Sequence, residues 1–263
     1  MSIVPDKKHA IIVASPRART GKTLLARVIV DHLLLSGIPH VVFDTDPVER
    51  RLASFFPERS VVIDLDRVPD QMKLFDTLSS PVAVTQLIDL THRSFKKFFS
   101  LMHDIDFVTE ARASGFEPVI FFIPDGETDS YEQGIILRDR FRESGFVLVR
   151  NEALGEPSRE ALRNPSFAAF VGHTPRMTLQ RLDPFFLTAI ADPKLSLSEF
   201  MRRSLMRESP SRMATEQMSI AYMSREARSG ITVWLQSALT EIRRVLQEAE
   251  LRRDLLSHDR PNA

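Results

Sequence analysis

The sequence predicts an α/β protein: a doubly wound, mostly parallel sheet with helices on both faces and a helical carboxyl-terminal extension. Three observations carry this. Short apolar runs rich in β-branched residues alternate with segments of helical spacing. The first such unit, strand–loop–helix–strand, closes within about 40 residues, the size of a βαβ crossover. Beyond residue 177 the apolar spacing is predominantly helical.

Taken in order, HAIIVAS is a buried strand, because apolar residues run on without alternation. LLARVIVDHLLLSG is a helix, with Gly37 placed to end it. HVVFDTD and SVVIDL are strands, VPDQMKLFDTLSS a helix and VAVTQLIDL a strand. SFKKFFSLMHDIDFVTEARASG reads as one helix ended by Gly115, EPVIFFIPD as a strand and DSYEQGIILRDRFRESG as a helix. FVLVRNE is a strand, SREALRN a short helix, and SFAAFVGHTPR contains a strand. TLQRLDPFFLTAIAD, LSLSEFMRRSLMR and the stretch from about 213 to 256 read as helices. The division expected is a nucleotide-binding domain over 1–200 and, packed on it, an extension over 201–263.

Composition narrows the function classes. Hydrophobic residues make up 43% of 263, enough for a core without staples. There are no cysteines, which excludes disulfides and thiolate chemistry and fits a reducing compartment. Formal charge is zero, so no global field draws the chain to nucleic acid or an anionic membrane. The first apolar run is too short for a signal peptide, and no stretch approaches the roughly 20 apolar residues of a membrane span. A cytoplasmic location is expected.

The chemistry concentrates in PRARTGKT, residues 16–23, between the first strand and first helix. Its tail, Gly21-Lys22-Thr23, matches the end of a phosphate loop, G-x-x-x-x-G-K-[ST]. In such a loop backbone N–H groups and a helix N-terminus face the phosphates. Lys22, expected to face solvent, neutralises the β and γ phosphates of ATP, and the Thr23 hydroxyl ligates Mg²⁺. Pro16 stands where the first glycine belongs, and it lacks an N–H.

SPRARTGKT also resembles the deviant phosphate loop K-G-G-x-G-K-[ST] of the ParA/MinD family. Arg17 falls on the family's signature lysine, and Ala18 and Arg19 fall on its two glycines. The resemblance implies that Arg17 reaches the phosphates of a partner copy in an ATP-bound dimer, and that Arg19, Thr20, Gly21, Lys22, Thr23 and Leu24 surround the nucleotide. FDTDPVERRL is similar to the family's D-x-D-P segment. By that likeness Asp44 holds a water of the Mg²⁺ shell and Asp46 orients the attacking water. Asp64 and Asp89 both end strands; Asp89 is the better second metal-side carboxylate, on a likeness in spacing to the conjugal-transfer TraL branch. Asn151, ending FVLVRNE, resembles the asparagine that reads the adenine edge, and Pro175 in HTPRM resembles a strand-end residue packing near the base.

The implied activity is slow ATP hydrolysis in a nucleotide-gated homodimer that positions or partitions DNA or another cargo. The lost glycines leave open an adaptor that binds nucleotide with little or no hydrolysis. A small-molecule kinase or amidoligase is a third reading, and the D-x-D-P segment counts against it. Two further features have plainer explanations. FKKFF at 95–99 is read as a helix burying aromatics and solvating its lysines rather than as a base-stacking surface. In the last helix Ile231, Trp234, Leu235, Leu239, Ile242 and Leu246 share a face. Glu241, Glu248 and Glu250 dilute the charge of Arg243, Arg244, Arg252 and Arg253, which favours packing over membrane contact. DNA-binding members of the resembled family use basic side chains in this region, which makes Arg202, Arg203, Arg207 and Arg212 a candidate patch for DNA or a cargo adaptor, with a solvated helix face as the plainer reading.

Overall fold

The computed structural model describes residues 8–77, 84–193, 195–205 and 224–258. Among the described residues seven strands form one all-parallel sheet: β1 (Lys8–Ala14), β2 (His40–Asp44), β3 (Ser60–Val62), β4 (Thr85–Asp89), β5 (Phe116–Phe122), β6 (Gly145–Asn151) and β7 (Arg176–Leu179). Their spatial order is β3-β2-β4-β1-β5-β6-β7. The order reverses at β1, so the crevice outside its carboxyl end is where a ligand fits. β1, β4 and β5 lie inside the sheet and are buried on both faces, which is why their sequences run apolar without alternation.

On one face lie α1 (Lys22–Leu35), α10 (Leu197–Leu205) and α11 (Arg225–His258). α1 is buried almost all round, through Leu25, Ala26, Val28, Ile29, Val30 and Leu33. Ile231, Trp234, Leu235, Ala238, Ile242, Val245 and Leu246 of α11 join the same core as Val147, Val149, Met177 and Leu179 of β6 and β7. The apolar face of this helix is therefore a packing face. Trp234 Nε1 donates to the Gln180 carbonyl at 2.8 Å, and Arg244 reaches Glu241, Glu248 and the Arg176 carbonyl.

The other face is phenylalanine-rich. It is covered by α3 (Val68–Asp76), α4 (Phe95–Asp104), α5 (Phe107–Ala113), α6 (Thr128–Arg140), α7 (Arg159–Arg163) and α8 (Pro165–His173). Phe95, Phe98 and Phe99 are buried there while Lys96 and Lys97 are exposed, as the FKKFF reading expects. Short α2 (Arg51–Phe55) follows β2, and α9 (Pro184–Ile190) follows β7.

Several local expectations are corrected. Residues 95–114 form two helices rather than one, because Asp106 turns left-handed at φ 49° and restarts the chain as α5. SFAAFVGHTPR is mostly helix: Asn164 caps α8 through the Ser166 N–H, and β7 begins only at Arg176. In TLQRLDPFFLTAIAD the first two residues belong to β7 and only 184–190 are helical. Residues 213–223, 207 and 212, and the side chains of Arg203, Arg252 and Arg253, lie outside what is described. Among the described residues no helix is long and apolar enough to cross a membrane.

Candidate functional site

A cavity of about 720 Å³ opens at the carboxyl ends of β1, β2, β4 and β6. Ala18, Arg19, Thr20, Gly21, Lys22, Thr23 and Leu24 form its floor. The loop bends through two left-handed residues, Arg19 at φ 58° and Gly21 at φ 93°. The position where the resembled motif has glycine thus keeps a glycine-like backbone although arginine occupies it. The first bond of α1 runs from Leu25 N to the Gly21 carbonyl. The N–H groups of Lys22, Thr23 and Leu24 precede it and lack intrahelical acceptors, which suits an anion at the helix N-terminus.

The loop is braced from β6. The Asn151 amide nitrogen donates to the Thr20 carbonyl at 2.9 Å, and its oxygen accepts from the Ala153 N–H at 3.1 Å. Asn151 lines the cavity, and each end of its amide already has one partner in the chain.

Lys22 is not solvent-facing, contrary to expectation. It is 8% exposed, and its Nζ donates to the Arg17 carbonyl (2.6 Å) and to Thr20 Oγ1 (3.4 Å). The loop folds over the side chain, and burial lowers its pKa to about 8, the Asp89 charge opposing and the Arg51 charge adding.

The carboxylates converge from neighbouring strands. Asp44 and Asp89 are register partners at the ends of β2 and β4. Thr23 Oγ1 donates to Asp89 Oδ2 at 2.7 Å. Burial pushes Asp89 up to about 7, with the Thr23 hydrogen bond pulling down and the Asp44 charge pushing up. Asp44 is also raised by burial; its two oxygens accept from the N–H groups of Asp46 and Ala53, both at 3.0 Å. Asp46 lines the cavity too, while its Oδ1 accepts from the Val48 and Glu49 N–H groups at 3.2 and 3.0 Å and shapes the turn into α2. Asp64 is outside the cavity, binding the Asp66 N–H at 2.9 Å.

Two residues singled out in the sequence lie outside this cavity, one of them, Arg17, with an expected role in a partner copy's site. Arg17 is drawn to the β5–α6 loop and the first turn of α6, where Asp125 (3.3 Å) and Asp129 hold its guanidinium, and it does not line the cavity. Pro175 precedes β7, at the amino end of a parallel strand and so on the opposite edge of the sheet from the phosphate loop; its carbonyl accepts from Leu148 N at 2.8 Å. The error follows from reading the apolar α8 as a strand. The carboxyl end of β7 instead offers Leu179 and Gln180, which with Ala153, Leu154, Leu182 and Leu187 make an apolar wall. Glu49, Arg51, Thr91, His92 and Arg93 complete the opposite rim. Sequence reasoning missed both groups; position just after a parallel strand was the available signal.

No protein-family profile matches the chain, and no curated protein does. Among solved structures it resembles a nucleotide-binding protein from Archaeoglobus fulgidus in complex with ADP, at 13% identity over 70% of this chain and 85% of that one, TM-score 0.43. It also resembles an ATP complex of a Cyanothece McdA variant, at 12% identity over 88% and 97%, TM-score 0.42. A third is the Aquifex aeolicus MinC:MinD cell division complex, at 14% identity over 76% and 97%, TM-score 0.34. Similarity at this level transfers no residue roles.

Proposed function

We propose that this chain binds Mg²⁺-ATP in the cavity above β1 and hydrolyses it slowly, as a ParA/MinD-like protein whose nucleotide state governs homodimerisation and the positioning of DNA or another cargo. The observation that carries the nucleotide reading is the Thr23–Asp89 contact beside the α1 N-terminus: a helix-end hydroxyl 2.7 Å from a buried carboxylate. Both are hard oxygen donors, as Mg²⁺ prefers. Among the described residues no cluster of three or more His, Asp or Glu side chains is arranged to hold a metal unaided. The ion would therefore arrive with the phosphates, held by Thr23 and, through water, by Asp44 and Asp89. Its charge would offset the cost of ionising Asp89. Lys22 would exchange the Arg17 carbonyl for phosphate oxygens, and Asp46 would orient the attacking water. Leu154, Leu179, Leu182 and Leu187 suit a base, and Asn151 has capacity for one more hydrogen bond at each end.

A second reading, an adaptor that binds nucleotide without useful turnover, is favoured by the engagement of Arg17 with Asp125 and Asp129. The test of nucleotide binding is calorimetry with Mg²⁺-ATP on the wild type and Lys22→Ala. Loss of at least about tenfold in affinity is expected, the scale of a charge-assisted phosphate contact. Equal binding by both proteins would sink the phosphate-loop reading. Sustained phosphate release by the wild type separates the ATPase from the adaptor.

A further inference from the structure

The nucleotide reading leaves the cations of the far rim without a role. Arg51 enters from the first residue of α2, and Arg93 from the turn after β4; both line the cavity that holds Lys22 and Thr23. Sheet order fixes which end of a nucleotide they would meet. From β1 the sheet continues through β4 to β2 on one side and through β5 and β6 to β7 on the other. The candidate metal-side carboxylates Asp44, Asp46 and Asp89 belong to the β2–β4 side, and the apolar wall belongs to the β6–β7 side. A nucleotide with its base against the leucines therefore extends its terminal phosphate toward α2 and the β4 turn.

Both arginines also belong to the electrostatic surroundings of Lys22 and its neighbour His92. The Arg51 charge acts on Lys22, and His92 feels Lys22 and Arg93 together. Their present engagements are weak. Arg51 pairs with Glu49 across an exposed contact, 61% and 41% exposed, of a kind that adds little. Among the described residues Arg93 makes no ion pair. Arg17, in contrast, is held by two carboxylates away from the cavity.

We propose that Arg51 and Arg93 bind the terminal phosphate of a nucleoside triphosphate within a single copy of the chain, and so tell triphosphate from diphosphate without Arg17. This rests on the nucleotide reading above. A guanidinium suits this role because it is always charged and offers paired N–H groups to phosphate oxygens. Among the side chains that share the space with Lys22, Asp44, Asp89 and His92 are Glu49, which Arg51 would release, and Asp46, whose charge would favour the arginines' approach. Delivery of two cations from the rim also compensates for a loop with one glycine, whose backbone has less freedom to wrap a phosphate.

The test is calorimetry at fixed Mg²⁺ with ATP and with ADP, at protein concentrations where sedimentation shows a monomer. It compares wild type, Arg51→Ala, Arg93→Ala, the double variant and Arg17→Ala, each first checked for an unchanged melting temperature. The wild type is expected to favour ATP. Each single rim variant should lose about tenfold in ATP affinity and the double about a hundredfold, with ADP affinity held within about twofold. A double variant that still favours ATP as strongly as wild type, or that weakens ATP and ADP alike, overturns the inference while the nucleotide reading stands. Discrimination lost in Arg17→Ala but kept in the double variant overturns it in favour of Arg17. A wild type that binds neither nucleotide overturns the parent reading as well.

Discussion

Gly21→Ala probes how the loop before α1 is held, and its cost follows from the geometry. Gly21 sits at φ 93°, where an L side chain is strained by about 1–2 kcal/mol. A Cβ there would lie 2.7 Å from the Asn151 amide nitrogen. Asn151 must then swing away and abandon the Thr20 carbonyl, and a buried hydrogen bond lost this way costs about 1–3 kcal/mol. Alanine stiffens the unfolded chain and returns about 0.4–1 kcal/mol. The net expectation is a loss of about 3 kcal/mol, read as a lower urea midpoint at unchanged slope. Gly37→Ala and Gly115→Ala supply the comparison, since both positions have positive φ but nothing within 4 Å of a new Cβ. They should cost only the backbone strain, about 1 kcal/mol. If Gly21→Ala costs no more than these two, the Asn151 brace is not what holds the loop.

Two further substitutions have signs that the packing decides. Gly134→Ala lies within α6, where alanine normally stabilises by about 0.5–1 kcal/mol, but its Cβ would meet the buried Phe122 ring at 2.6 Å; a net loss of about 1–2 kcal/mol is expected. Gly172→Ala in α8 has open space and should raise the melting temperature, so a rise for both would refute the steric account. Asp31 is buried beside Arg27, and desolvation pushes its pKa up to about 6 against the Arg27 charge and the Ser198 hydrogen bonds. Because the folded pKa lies above the ordinary 3.8, its contribution to stability is full below pH 3.8 and is lost as pH rises through 6. Relative to Asp31→Asn, the wild type should therefore lose up to about 3 kcal/mol between pH 4 and pH 7, and a stability difference that is flat with pH would contradict this.

The legible parts of the sequence were those with a period or a fixed offset. The alternation of apolar runs and helical spacing gave the sheet, and the offsets within PRARTGKT and FDTDP, with the end of TQLIDL, put Lys22, Thr23, Asp44, Asp46 and Asp89 around one cavity. Parallel strands make this possible: residues ending different strands share one edge whatever their distance along the chain. Where periodicity is ambiguous the reading slipped. PSFAAFVGH is short and apolar, with few polar residues to mark a face, so it passed for a strand and carried Pro175 to the wrong end of β7. The break at Asp106 has no glycine or proline to announce it. The pairing of Arg17 with Asp125 and Asp129, more than a hundred positions away, depends on how the β5–α6 loop lies over the phosphate loop, and no local pattern encodes that.

α11 follows every strand in chain order yet covers the face of β5, β6 and β7. During synthesis, Val147, Val149, Met177 and Leu179 must wait for a helix that leaves the ribosome after them. A chain interrupted before Arg225 would carry an uncovered apolar sheet face, the kind of surface that chaperones and proteases engage. The same helix grips Gln180, a cavity-lining residue, through Trp234. Quality control of the nascent chain and completion of the cavity wall thus converge on a single late docking event.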